Sequence, residues 1–318
     1  MKRVLPGLFM CLALTAGAAT PPYPDRPVRL IVTFPPGGGA DLLARMVSKQ
    51  LGEKWKENVV VDNRGGGDGA IGAAIAARTQ PDGYTLLMII STHTVLPSIK
   101  SNLQYDLLKD FSPIVRMAEA PNAVVVQPSF PAKSIDELIA QAKKQPGKFD
   151  YPGSGLGGPA HLAGVLFDRM AGTKLTFIPY KGAGPSLVAL MGGQVHVMFP
   201  AITGALPHVR AGRLRAIGVT SEKRTPALPD VPTVGETLKG YVFVGWYGLV
   251  ARAGTPRAII DKVYTDTIVV LNEPETKVFL ANGGLTPAAQ NPAQFGAYIA
   301  SEIKTAARLA SDAGLEKN

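Results

Sequence analysis

The sequence has little of what covalent and metal chemistry needs. Its 318 residues include one cysteine, Cys11, so the chain forms no internal disulfide and carries no paired thiols for a metal or a redox centre. Four histidines, His93, His161, His196 and His208, stand apart, with no i, i+4 pair and no H-E-x-x-H. With no acidic cluster at ligand spacing either, no metal and no other cofactor is expected. Long apolar runs are also missing: outside the first twenty residues no window approaches the roughly 18 unbroken apolar residues of a membrane-spanning helix. Basic residues exceed acidic ones, 33 to 24, but they are scattered. The longest basic cluster, Lys143-Lys144, lacks the interleaved aromatics of a nucleic-acid groove, so no nucleic-acid partner is expected.

What the chain does have is apolar content: 46% of residues are apolar and 18% charged, enough for a sizeable core in one large or two medium domains. Its first residues carry Lys2 and Arg3, then the apolar run Leu8 to Ala16, then the small residues Ala16-Gly17-Ala18-Ala19. This is the charged, apolar and cleavage pattern of a secretory signal, so residues 1–19 read as a signal peptide and the periplasm of a Gram-negative bacterium as the destination. Cys11 falls inside the segment to be removed, and Met10 before it is not the small residue of a lipid-attachment site. Losing Lys2 and Arg3 leaves 31 basic against 24 acidic residues, a net charge of about +7 that favours anionic ligands.

From Tyr23 onward, short β-rich runs alternate with helical patterns, the mark of an α/β fold with mostly parallel strands. Val28 to Thr33, Asn58 to Asp62 and Thr85 to Ile90 read as strands, with helices from the glycine turn to Leu51 and over Ala70 to Arg78. The run Asn122 to Gln127 opens a second α/β unit that continues to Val219. The linker Thr225 to Pro232 holds three prolines, Tyr241 to Val250 reads as a buried strand, and Pro256 to Leu315 as helical. The division this suggests is one lobe of residues 20–122 plus 246–318 and another of residues 123–245. Such a chain crosses twice between lobes, and a ligand would sit in the cleft at the carboxyl ends of the strands.

Two loops stand out. In TFPPGGGADLLARM, residues 33–46, three glycines join a strand to a helix; in YPGSGLGGPAH, residues 151–161, a similar loop does the same. A helix start presents unpaired N–H groups, and glycine lets backbone and ligand approach closely, so both loops suit an anion. The phosphate-loop reading fails because Ala40-Asp41-Leu42 stands where Lys and Ser or Thr are required. Gly153, Gly155 and Gly158 spell G-x-G-x-x-G, but Thr176 to Tyr180 carries no carboxylate for a ribose. Around Ser154 the residues are Pro152-Gly153-Ser154-Gly155-Leu156, which lacks the first glycine of a hydrolase elbow. No acid and base pair supports catalysis, so a binding protein is expected and an enzyme is not. What remains is one anion-accepting helix start per lobe, together a grip on a carboxylate. Asp41 either balances the helix dipole or fixes the loop, and Ser154 either donates its hydroxyl to the anion or caps the turn.

Taken in order, FPPGGGADLLAR, VVVDNRGGGDGAIGA, QPDGYTLLM, YPGSGLGGPAHLAG, PYKGAGPSLVALMGGQVHVMF, GRLRAIGVTS, KRTPALPDVPTVGE and ARAGTPRAII resemble the tripartite tricarboxylate transporter substrate-binding proteins, the Bug family. The resemblance implies a type II Venus-flytrap fold of two α/β lobes, a monomer that captures a small organic acid without a cofactor. It also implies a partner membrane complex of one small and one large subunit. Carried over, the family's backbone grip points to Phe34, Gly37, Gly38, Gly39, Ala40 and Asp41, and to Ser154, Gly155, Leu156, Gly157 and Gly158. Specificity would be tuned by Ser91, Thr92 and His93, by Lys181 and Ala183, and by Pro200 and Ala201. Many relatives have Asp where this chain has Pro200, so a partner for a ligand ammonium is missing and an amino-acid ligand is disfavoured. Val165 and Gly65 also depart from the usual glutamate and proline, as structural changes. The same binding event could serve a sensory partner instead of a transporter.

Overall fold

A computed structural model describes residues 23–153, 157–180, 182–315 and 317. The proposed signal peptide with Cys11, and Ser154, Gly155, Leu156 and Lys181, lie outside the described residues.

Short apolar runs bounded by turns become strands here, and longer runs with apolar residues three and four apart become helices. The first part of the chain gives β1 (Val28–Val32), α1 (Gly39–Trp55), β2 (Val59–Asn63), a 3-10 turn at Gly67–Gly69, α2 (Ala70–Ala76), β3 (Thr85–Ile90), α3 (Thr92–Ile99) and β4 (Phe111–Pro121). At Asn122 the chain leaves that sheet. It then forms β5 (Ala123–Val126), α4 (Ile135–Lys144), β6 (Asp150–Gly153), α5 (Pro159–Ala171), β7 (Thr176–Pro179), α6 (Ala183–Met191), β8 (Val197–Met198), α7 (Ile202–Arg210), β9 (Arg215–Val219) and α8 (Val234–Thr237). The last part supplies β10 (Val244–Arg252), α9 (Arg257–Asn272), α10 (Pro274–Asn282), β11 (Thr286–Gln290) and α11 (Pro292–Asp312).

The strands β11-β4-β10-β3-β1-β2 form one six-stranded sheet, so β10 and β11 return to the sheet that the first four strands began. Its β1 pairs in parallel with β2 and β3, whereas β10 runs antiparallel to both β3 and β4. The middle of the chain forms a three-stranded antiparallel sheet, β8-β5-β9, and the parallel pair β6-β7. The mostly parallel sheet expected from the alternation of elements is thus parallel only in β1 to β3 and β6 to β7. Strands that enter or leave a sheet at a lobe crossing run against their neighbours.

Both faces of the six-stranded sheet are covered at its centre, which is why β3 reads as a continuous apolar run. Leu30, Val32, Leu86 and Met88 face Leu43 and Val47 of α1 and Val263 and Val270 of α9. Ile31, Leu87 and Ile89 face Ala73 and Ala76 of α2 and Phe295 and Ile299 of α11. In β5 the alternation is equally clear: Val124 and Val126 meet Leu138 and Phe167, while Ala123 and Val125 meet Leu187, Leu190 and Ala205.

Four sequence expectations are corrected. β4 and α3 lie where no element was expected, since Pro113, Pro121 and Pro97 interrupt their patterns. β11 breaks the expected C-terminal helical region. In α5 the face against its own sheet is Ala163, Phe167 and Ala171, not the stripe through Val165 and Met170. Leu162 of α5 instead meets Val95 of α3 and Ala306 and Leu309 of α11, so that side of the helix packs across to the other part of the chain.

Candidate functional site

The two glycine loops share one construction. The glycine at N-cap is Gly38 in the first and Gly158 in the second, each extended and neither with a side chain that caps. The residue before each, Gly37 at φ +87° and Gly157 at φ +74°, takes the left-handed conformation that glycine enters without steric cost. The N–H of that glycine is held by the side chain at the third helical position. Gly37 donates to Asp41 Oδ2 at 2.9 Å, and Gly157 donates to His161 Nδ1 at 3.0 Å. The first intrahelical bonds are Leu42 N–H to the Gly38 carbonyl and Leu162 N–H to the Gly158 carbonyl, both 3.0 Å. By helix geometry the N–H groups before those bonds have no partner within their helix: Gly38 to Asp41 in α1, and Gly158, Ala160 and His161 in α5, where Pro159 brings none.

Asp41 is 2% exposed and its charge is spent on the loop itself. Besides Gly37 it accepts from Arg45 Nε at 3.0 Å and from Asn63 Nδ2 at 2.9 Å. Asn63 also donates to the Phe34 carbonyl at 3.0 Å, which ties the loop to the end of β2. Burial pushes the Asp41 carboxyl up, but Arg45, the Gly37 N–H and Asn63 outweigh burial and hold it below the usual carboxylate range. His161 does the same work without charge. It is 5% exposed, its ring centroid lies 4.1 Å from that of Phe177, and burial pushes its imidazole down to about 4.

Each loop is met by residues from distant parts of the chain. A Cβ added to Gly39 would stand 2.6 Å from the Tyr247 hydroxyl of β10 and 4.0 Å from Thr203 Oγ1 of α7. A Cβ added to Gly157 would stand 2.9 Å from Ile99 Cδ1 at the end of α3 and 3.5 Å from Leu315. Sequence reasoning missed Tyr247 and Thr203. Tyr247 sits in a run that reads only as a buried strand, and nothing local marks Thr203 as more than a helix start.

The other expected residues are spread around these loops. His93 is fully buried in the first turn of α3; its Nδ1 lies 3.0 Å from the Ile90 carbonyl oxygen, and its ring is 6.3 Å from Phe34 edge to face. It therefore offers no surface to a ligand in this structure, and burial pushes its imidazole down to about 4. Ser91 and Thr92 wall a cavity of about 320 Å³ with Arg116, Pro159, Leu162 and Glu302, among others; the Gly37 to Asp41 turn is not part of that wall. Pro200 is buried, and its carbonyl accepts from the Ala123 N–H at 2.9 Å. Ala201 and Ala183 are exposed, at the N-cap of α7 and the first position of α6. Among the described residues no cluster of His, Cys, Asp and Glu is arranged to hold a metal, and no helix is long and apolar enough to cross a membrane.

The chain matches known proteins over nearly its whole length. Protein BugT of Bordetella pertussis is 35% identical over 321 residues, covering 99% of this chain and 98% of that one. A solved Rhodopseudomonas palustris protein with adipate superposes with a TM-score of 0.84 at 33% identity, over 93% of this chain and 100% of that one. MatC from Rhodopseudomonas palustris with bound malate gives a TM-score of 0.77 at 27% identity, over 90% of this chain and 99% of that one. Other solved structures that it matches, at 34% and 29% identity, are described as a periplasmic binding protein, BugD, and a TctC solute binding protein from Polaromonas. With residues 43–315 matching the tripartite tricarboxylate transporter family receptor, the chain belongs to that family, the Bug-type solute-binding proteins.

Proposed function

We propose that this protein captures a small organic acid in the periplasm and hands it to a tripartite transporter with one small and one large membrane subunit. The acid is a di- or tricarboxylate or an aromatic carboxylate, held by backbone N–H groups at the starts of α1 and α5. Residues 20–122 with 246–318 form one lobe and residues 123–245 the other, with residues 1–19 as the export signal.

The observation that carries this reading is the repeated loop construction. Asp41 and His161 each fix the glycine that precedes the helix, so the first-turn N–H groups are aimed before any ligand arrives. Each such bond to a carboxylate is worth roughly 1.5–3 kcal/mol. Several together supply the ~8 kcal/mol of micromolar affinity without an arginine clamp. Gly155, Leu156 and Ser154 of the second loop, and Lys181 beside α6, complete the proposed contacts. Pro200, turned to a backbone role, leaves no carboxylate for an ammonium group, which supports an acid that is not an amino acid.

The 320 Å³ cavity is a weaker home for the carboxylate. Its walls carry Glu119, Glu222 and Glu302 against Arg116 and Arg308, and Arg116 already bonds Glu119 at 2.7 Å. Two tests address the proposal. Mass spectrometry of the small molecule that co-purifies should give a carboxylic acid. In a thermal melt, an acid present at 100 times its dissociation constant should add about 2.7 kcal/mol of stability. A panel of organic acids that leaves the melting temperature unmoved, or turnover of any of them, sinks the reading.

A further inference from the structure

We propose that the hydroxyls of Tyr247 and Thr203 are the side-chain donors to the carboxylate at the start of α1, one supplied by each lobe. The inference rests on the carboxylate reading above and adds one donor fixed beside the α1 start and one that acts when the cleft closes.

Tyr247 is 9% exposed, with its ring in the core beside Leu249, and its hydroxyl reaches the first position of α1. Buried phenols ordinarily find a hydrogen-bond partner. This one has none among the described residues, and neither does the half-buried Thr203 hydroxyl. Both oxygens lie within 4.0 Å of one point beside Gly39, where the unpaired N–H groups of α1 also begin. Burial pushes the Tyr247 phenol up to about 12, so it keeps its proton at any physiological pH and is available to donate. An ionised carboxylate accepts only, so two unpartnered hydroxyls beside the free first-turn N–H groups of α1 suit it.

The two donors have different roles because they come from different parts of the chain. Tyr247 stands on β10 in the same sheet as β1, so its position relative to Gly39 is fixed by sheet pairing. Thr203 stands on α7, beyond the crossing at Asn122, and closes on the acid only when the lobes come together. Tyr247 therefore sets affinity in both states, whereas Thr203 acts as a latch on release.

The test is calorimetry and stopped-flow binding with whichever of malate, adipate, citrate and benzoate binds wild type most tightly. Tyr247→Phe should raise Kd between about 10-fold and 100-fold, the range for losing a hydrogen bond to a charged group. Thr203→Val should raise the dissociation rate about tenfold with the association rate within about twofold, and Thr203→Ser should restore it. Circular dichroism and the ligand-free melting temperature should match wild type in all three, since no protein partner is lost. If wild type and Tyr247→Phe bind alike while Gly38→Val does not bind, the inference is wrong and the carboxylate site stands. If Gly38→Val binds as wild type does, or if wild type binds none of the four acids, the site itself is misplaced and the inference falls with it. Loss of affinity in Thr203→Val through the association rate alone overturns the latch.

Discussion

Gly39 occupies a helical position where alanine would normally be the better residue, by up to ~1 kcal/mol. The close approach of Tyr247 explains the glycine. An alanine Cβ would stand 2.6 Å from the hydroxyl oxygen and 3.4 Å from Cζ; the first separation is far inside contact and the second is ordinary packing. In Gly39→Ala the Tyr247 ring, embedded in the core and 9% exposed, has to shift, at an overpacking cost of about 1–3 kcal/mol. Set against the full gain in helix propensity of ~1 kcal/mol, the net loss is about 0–2 kcal/mol. Tyr247→Phe removes the one clashing atom and no protein hydrogen bond, so alone it should stay within about 0.5 kcal/mol of wild type. In that background Gly39→Ala should be neutral or stabilising by up to ~1 kcal/mol. The four proteins form a double-mutant cycle with an expected coupling of about 1–3 kcal/mol, read by urea unfolding of the ligand-free proteins. Additivity within about 0.5 kcal/mol would refute the reasoning, because it would mean that Tyr247 does not set the residue at Gly39.

Three further perturbations probe the loops. Gly38→Val places its Cβ 3.9 Å from the nearest atom, the Pro35 carbonyl oxygen, in an extended conformation that valine accepts; the ligand-free melting temperature should hold within a few degrees while stabilisation by any carboxylate disappears. Asp41→Asn should cost about 1–3 kcal/mol at neutral pH through the lost Arg45 and Gly37 contacts. Because the folded Asp41 carboxyl lies below its ordinary value, that contribution is full above about pH 4 and is lost as pH falls through the lower folded value; a difference between wild type and variant that grows as pH falls below 4 would contradict this. His93 and His161 fall in the folded state from 6.5 to about 4, so the unfolded chain binds more protons between those values and stability should drop as pH falls from 6.5 to 4. The drop is of order 3 kcal/mol for the fully buried His93, and smaller for His161, whose share should vanish in His161→Phe; a flat urea midpoint over that interval would exclude both.

The parts of the fold legible in the sequence are those whose physics is local. The apolar run Val28 to Val32, the glycines after it and the Leu43, Val47, Leu51 spacing of α1 each carry their own signal. So does the passage into β5, where four consecutive buried residues, Ala123 to Val126, follow Asn122. The illegible parts depend on partners far along the chain. β4 holds Arg116, Glu119 and two prolines and is a strand because β10 and β11 flank it. The five residues of β11 have no β-branched alternation and exist only as an edge to β4. In the same way, the loops of the candidate site were visible as glycine patterns, but Tyr247 and Thr203 come to Gly39 from more than 150 residues away.

The pairing of Asp41 with His161 shows how one geometry is met by two electrostatic solutions. A buried carboxylate beside an anion site would repel the ligand unless its charge were balanced. At α1 the balance comes from Arg45, one helical turn on at i+4, with its Nε 3.0 Å from Oδ2. At α5 the corresponding position is Val165, which cannot balance a charge, and the residue that holds Gly157 is a histidine that burial keeps neutral. Each helix start therefore keeps its own dipole with little opposing charge. The fixed side chain at the third position and the residue one turn beyond it act as a unit. This accounts for a feature the glycines alone leave open: why loops so permissive in conformation hold one shape before a ligand arrives.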